Sequence, residues 1–149
     1  MRFAGQIHAS CVAREGEGVL LLGPSGVGKS DLALRLIDRG FCLIADDRVD
    51  IADGIARAPS RLAGLLEVRG LGIFHLPWRV EAQLVLAVEL APPSERLPAP
   101  RRHAVLDLPL VLLEPGGASA AFRVALALEA AMGRVACHAG ALAGARDAA

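Results

Sequence analysis

The sequence predicts an α/β fold, a single domain with a mixed β-sheet flanked by helices and a phosphate-binding loop (P-loop) at one sheet edge. Three observations predict it. The stretch Gly23-Pro24-Ser25-Gly26-Val27-Gly28-Lys29-Ser30 fits G-x-x-x-x-G-K-[ST]. An apolar run at 19–22 leads into it, and Leu32, Ala33, Leu36 and Ile37 follow at helical spacing as far as Gly40. A second apolar run, 41–45, then completes a βαβ unit, whose crossover is right-handed and whose strands are parallel. In that context the loop N–H groups and the helix N-terminus cradle phosphate oxygens. Lys29 places a point charge on the outer phosphates, and the Ser30 hydroxyl ligates Mg²⁺. The alternative, a chance glycine turn ahead of a helix, is disfavoured by motif and context together. The expectation is a nucleotide-binding protein.

At 149 residues the chain suits one domain with a real core, taken as residues 1–136. An Ala-rich tail, 137–149, is expected to be partly disordered. A hydrophobic content of 54% argues against global disorder. No apolar run reaches the roughly 18 residues of a membrane span, and the N-terminus lacks a signal-peptide core. A cytoplasmic location without a membrane partner is therefore expected. The 16 basic and 16 acidic residues cancel, and tyrosine is absent. That leaves neither an electrostatic footprint nor a stacking platform for nucleic acid. Cys11, Cys42 and Cys137 are odd in number and widely spaced, and read as reduced apolar residues. Cys137-His138 alone makes no zinc site.

Taken in order, residues 3–12 alternate unevenly and can form a strand carrying His8; the turn at 15–18 lets 6–12 and 19–22 pair as a hairpin. A lone strand histidine is more often structural than catalytic. The helix over 30–39 carries Asp31 in its first turn and Arg39 in its last, as the macrodipole favours, with Gly40 as its C′ residue. Asp46-Asp47 end the next strand on the edge that carries the loop. They suit a turn, yet the topology favours function, since phosphoryl transfer needs a metal-side carboxylate and a base. Residues 50–62 read as a short strand, a turn and an irregular link. In 65–74, Glu67 and Arg69 interrupt an apolar run; they could pair with each other, or contact Mg²⁺ and a phosphate respectively. A strand at 84–90 and a proline-rich connector at 91–100 follow. Pro109 suggests two short edge strands or a strand entered after proline, and Ser119 is placed to cap a helix over 120–132.

Across residues 3–75 the sequence resembles the catalytic domain of HPr kinase/phosphorylase. The resemblance rests on Ile7-His8 before a hairpin, the 23–30 loop, Leu43-Ile-Ala-Asp-Asp-Arg-Val-Asp50 and Leu65-Leu-Glu-Val-Arg-Gly-Leu-Gly-Ile73. It implies an HPr kinase/PEP carboxykinase-like fold and a bacterial serine protein kinase using ATP and Mg²⁺, with the phosphocarrier protein HPr as substrate. By position it implies Asp47 as general base, His8 as its partner, Lys29 as the phosphate-binding lysine, and Ser30 and Glu67 as Mg²⁺ ligands. It gives Arg96 as a family active-site arginine, through Ser94-Glu-Arg-Leu97. It also implies a homo-oligomer, since the family forms hexamers.

The chain departs from the family in lacking the usual N-terminal regulatory domain, and reads as a short, catalytic-domain-only form. Where the family has an arginine-bearing Pro-x-Arg-Pro-Gly-Arg loop linked to phosphorolysis, this chain has Pro109-Leu-Val-Leu-Leu-Glu-Pro-Gly-Gly117. Weak or absent reverse activity is expected. The C-terminal helix used for docking is also shortened or altered. Two rivals remain: a small-molecule kinase with 91–104 as its lid, and a non-catalytic ATP-binding regulator.

Overall fold

The computed structural model describes residues 2–145. One mixed sheet holds nine of its strands, in the order β1 (Gly5–Ile7), β5 (Val49–Ala52), β6 (Ile55–Arg57), β9 (Ala82–Leu90), β3 (Glu17–Leu22), β2 (Ser10–Arg14) and β4 (Cys42–Ala45). Strand β11 (Pro109–Leu113) joins β9 in parallel and carries β10 (Arg101–Arg102) antiparallel. Strands β7 (Leu65–Val68) and β8 (Gly72–His75) form a separate two-stranded ribbon. A 3-10 turn spans Ser60–Leu62.

The uneven alternation of residues 3–12 has a structural cause. The stretch divides into β1, which pairs with β5, and β2, which pairs with β3 and β4. His8 and Ala9 form the step between the two. The expected 15–18 turn closes the β2–β3 hairpin, with Glu15 at φ 52° and Gly16 at φ 81°, the double left-handed geometry of a tight two-residue loop. Because β3 and β4 are each antiparallel to the intervening β2, they are parallel to one another, and their C-terminal ends share an edge.

Helix α1 (Lys29–Asp38) ends as its sequence dictates. The Gly40 N–H donates to the Ile37 carbonyl at 3.1 Å and the Phe41 N–H to the Leu36 carbonyl at 3.1 Å, with Gly40 at φ 97°. This is a Schellman stop. Arg39 is the C-cap, and the basic residue of the last turn is Arg35. Helix α2 (Ala120–Ala131) does begin after Ser119, but the hydroxyl does not cap it; it accepts from Arg123 Nε at 2.9 Å instead. The arginine one turn on competes successfully for that oxygen. Pro109 opens β11, the strand-after-proline alternative.

Both helices cover one face. Leu32, Ala33 and Leu36 of α1 and Val124 and Leu128 of α2 pack with Val19, Leu21, Leu86 and Val88. On the other face a smaller core gathers Cys11, Leu20, Ile44, Val49, Ile51 and Leu84, closed by the strands β1, β5 and β6. Leu84 and Leu86 can face different cores because the β3–β9 register shifts between Gly18 and Val19. A Cβ at Gly18 would stand 3.1 Å from the Gln83 carbonyl and 3.2 Å from Ala82 Cβ, so the close approach at this bulge needs glycine. All three cysteines are free, and burial pushes the Cys11 thiol up to about 12. Within the 137–145 segment Leu142 is buried in the larger core; the remainder of the expected tail, 146–149, lies outside the described residues. No helix among the described residues is long and apolar enough to cross a membrane.

The α2 exit is clamped to the hairpin by charge. Arg134 donates to Glu17 and Glu129, each at 2.7 Å, and Arg14 donates to Glu129 at 3.0 Å while lying 4.9 Å over the Phe41 ring. Hydrogen bonding from Arg134 is the main cause that holds both Glu17 and Glu129 below the ordinary glutamate value. A folded-state value below the unfolded one means stabilisation that is present above the unfolded value and is lost as pH falls through the folded one. Thermal unfolding followed from pH 7 downward should therefore show a falling midpoint through and below the ordinary glutamate range. Arg134→Met should start lower at pH 7 and fall less on acidification.

Candidate active site

The glycine-rich loop connects β3 to α1 through three glycines with positive φ, Gly23 (147°), Gly26 (83°) and Gly28 (115°), the last being the helix N-cap. The Val27 N–H donates to the Pro24 carbonyl at 3.2 Å and turns the loop back on itself. A Cβ at Gly26 would meet nothing within 4 Å, which leaves the middle of the loop open to a ligand. Lys29 is buried, and its ammonium donates to the Gly23 and Pro24 carbonyls at 2.6 and 3.0 Å. Burial pulls this lysine below its ordinary value, and the charges of Asp47 and Asp46 work in the opposite direction.

At the end of β4 the register against β2 shifts: Val12 pairs with Leu43 but Cys11 with Ala45, so Ile44 is an extra residue. Ile44 and Ala45 both face the smaller core, and the bulge re-aims Asp46 toward α1. There Ser30 Oγ donates to its carboxylate, with Oδ1 at 2.8 Å and Oδ2 at 3.0 Å. Ser10 Oγ donates to Oδ1 from the other side at 2.6 Å. Asp46 and Ser10 are both buried.

Asp47 takes a different role from its neighbour. The Arg48 N–H donates to the Asp46 carbonyl at 2.8 Å, closing a three-residue turn with Asp47 at its centre and φ 70°. Such γ-turns are rare and strained for a residue with a side chain. The turn swings the Asp47 carboxylate to the cleft, where His8 Nε2 lies 2.8 Å from Oδ1. An ionised carboxylate only accepts, so Nε2 carries the proton and donates. Arg48 Nε stands 3.9 Å from Oδ2.

His8, Ser10, Lys29, Ser30 and Asp47 line one cleft of about 450 Å³, which also takes in Ser25, Asp31, Glu67 and Arg69, while Asp46 lies behind it. The P-loop, the β4–β5 turn and the His8 step supply one wall, and the β7–β8 ribbon supplies the other. Glu67 and Arg69 form no ion pair with each other, which leaves both available to the cleft. Of the residues singled out from sequence, His8, Lys29, Ser30, Asp47 and Glu67 come together with the loop. Arg96 does not: it is exposed on the connector after β9 and lines no part of the cleft. The sequence reading missed Ser10, whose position in an apolar strand gave no signal until the bulge at Ile44 brought Asp46 opposite it.

The donor set suits a magnesium nucleotide. Mg²⁺ binds through one or two protein oxygens, with phosphates and waters completing its shell. The hydroxyl of Ser30 and carboxylate of Glu67 are hard oxygen donors on the cleft wall. Among the described residues no three or more His, Cys, Asp or Glu gather into an all-protein metal cage. The turn after β11 packs behind the loop, since a Cβ at Gly28 would stand 3.6 Å from Pro115. Arg35 ties that turn to α1, donating to the Pro115 and Gly117 carbonyls and to Asp31.

The family model described as the HPr Serine kinase C-terminal domain matches residues 2–83, just over half of the chain. An HPr kinase/phosphorylase of Clostridium novyi is 49% identical over 76 residues, covering 48% of this chain and 25% of that protein. One of Lactobacillus acidophilus is 51% identical over 75 residues, covering 47% and 23%. The match thus spans about a quarter of these relatives' length. Among solved structures, the Hpr(Ser) kinase/phosphatase from Coxiella burnetii superposes with a TM-score of 0.72 at 24% identity. That alignment covers 87% of this chain and 92% of the other, a likeness of fold.

The loop geometry separates its glycines. A Cβ at Gly23 would stand 2.8 Å from Val27 Cγ1 at φ 147°, whereas at Gly26 it would meet open space at φ 83°. Gly23→Ala should lower stability by about 1–3 kcal/mol and Gly26→Ala by only about 1–2 kcal/mol of backbone strain, read from urea unfolding midpoints.

Proposed function

We propose, for a chain that belongs to the family of HPr serine kinase C-terminal domains, Mg²⁺-dependent transfer of the ATP γ-phosphoryl group to a serine of the phosphocarrier protein HPr. The observation that carries this reading is the division of labour between adjacent carboxylates. Asp46 is buried against the P-loop serine, and Asp47 is turned out into the cleft with His8 on one oxygen. A nucleotide binder needs the first arrangement alone; a transferase to a hydroxyl also needs the second.

Chemically, the substrate serine oxygen forms a bond to the γ-phosphorus as the bond to the β,γ-bridging oxygen breaks. The serine proton passes to Asp47, and ADP leaves with the bridging oxygen. His8 holds the Asp47 carboxylate in place through Nε2, so that Oδ2, which Arg48 Nε approaches at 3.9 Å, faces the incoming hydroxyl. Lys29 exchanges the loop carbonyls that it binds for phosphate oxygens, a step helped by its partial desolvation. Ser30 and Glu67 would hold Mg²⁺, which supplies charge neutralisation on the phosphates. Arg69, without an ion-pair partner among the described residues, adds positive charge on the ribbon side.

The turn that replaces the family's arginine-bearing loop supports a reaction running mainly forward. It lies beside Gly28 and carries Glu114 and no cation of its own. No residue of 91–104 lines the cleft, so the lid that a small-molecule kinase needs has no support there. Acting on HPr implies a cytoplasmic setting.

Incubation with ATP, Mg²⁺ and HPr, read by mass spectrometry, should add a single phosphate to one HPr serine. Asp47→Asn should slow transfer by about 10²- to 10⁴-fold while ATP affinity stays within a few-fold. Excess inorganic phosphate should release little phosphate from the product. No transfer by a protein that binds ATP normally would sink the protein-kinase reading.

A further inference from the structure

We infer that Ser10 is a positioning residue for the cation-binding hydroxyl of Ser30, acting through Asp46; this rests on the reading of the cleft given above. Ser10 is wholly buried at the start of β2, paired with Leu21 of β3, one residue before β2 also pairs with β4. Ala9, Cys11 and Ala13 face the smaller core and Val12 the larger one, so by strand alternation Ser10 takes a position on the larger-core face. It stands where that face meets the cleft, and a buried hydroxyl there costs free energy unless it is bonded. Its bond is to Asp46 Oδ1 at 2.6 Å.

The consequence reaches the cleft through proton direction. Asp46 makes no ion pair within 4 Å among the described residues, its charge acts on Lys29 at longer range, and its side-chain hydrogen bonds come from two hydroxyls. Ser30 has one proton and gives it to this carboxylate, which leaves its oxygen lone pairs to the cleft. That orientation holds only while the carboxylate keeps its rotation. Ser30 sits in the first turn of a helix that follows a glycine loop, whereas Ser10 sits on a strand paired on both sides. Ser10 is therefore the fixed end of the chain Ser10–Asp46–Ser30. Without it Oδ1 loses a partner, the carboxylate is free to turn, and the Ser30 hydroxyl loses the acceptor that aims it.

The test is binding of a fluorescent, non-hydrolysable ATP analogue, titrated with Mg²⁺ and again in EDTA, so that no turnover enters the readout. Ser10→Ala should weaken the Mg²⁺-dependent gain in affinity by about 10-fold or more and leave affinity in EDTA within about two-fold. Ser10→Cys, nearly isosteric and a weak donor, should show the same loss, and keeps the test decisive if the alanine variant does not fold. In an Asp46→Ala background, Ser10→Ala should change the gain by less than about two-fold, because its effect runs through that carboxylate. An unchanged Mg²⁺ gain, an equal loss in EDTA, or a full second loss in the Asp46→Ala background would overturn the assignment. A wild-type protein without any Mg²⁺ gain would overturn the reading of the cleft itself.

Discussion

A buried carboxylate sets the terms for this structure. Asp46 is 6% exposed and binds hydroxyls on two sides, one from β2 and one from the start of α1. Taking a carboxylate out of water costs several kcal/mol unless its lone pairs are met. Three features must therefore coincide: the bulge at Ile44, the serine at the head of β2, and a helix that begins at the residue before Ser30. Asp47 inherits the result. With Asp46 committed inward, the chain reverses through a tight turn at φ 70°, and the second carboxylate emerges on the cleft side. Local strain at Asp47 is thus tied to burial at Asp46.

The opposite wall obeys a looser constraint. The ribbon that carries Glu67 and Arg69 is not hydrogen-bonded into the main sheet, and Leu66 anchors it in the larger core. Its entry is fixed by Gly64, where a Cβ would stand 2.8 Å from both the His75 and Trp78 rings. The 76–79 segment then runs along β4, with the Arg79 N–H donating to the Leu43 carbonyl, and covers an edge that would otherwise be open. One wall is set by the sheet and the other by an anchored hairpin.

The strong local signals were legible in the sequence. The P-loop pattern, the apolar runs at 19–22 and 41–45 and the Gly40 stop gave β3, α1 and β4 and their shared edge, because each reports a short-range preference. The turn at 15–18 was legible for the same reason, although Glu17 and Gly18 belong to β3 and only Glu15 and Gly16 form the loop. What escaped depended on distant partners. Single-residue bulges leave no composition signal, so neither the re-aiming of Asp46 nor the worth of Ser10 was visible. The division of 3–12 into two strands needed knowledge of β5, about forty residues on. The Ser119 hydroxyl was expected to cap a helix, but Arg123 reaches it first. For Glu67 and Arg69 the sequence left two readings open; the structure shows no ion pair between them and places both on the cleft. Arg96 lies where sequence and neighbours match the family least.

The partners of β9 bear on what counts as a unit of this molecule. Sequence similarity to the family model stops at residue 83, two residues into β9. Yet β3, the strand that launches the P-loop, pairs with β9 through Glu89. Similarity and self-sufficiency therefore have different boundaries. A fragment cut where the similarity ends would leave one side of β3 as a bare apolar edge, the kind of surface that recruits other chains. On the ribosome, likewise, the P-loop strand waits for some seventy further residues before its second neighbour exists, a late closure that is intrinsically slow. Residues beyond the similarity thus supply the neighbour strand that the matching residues pair with.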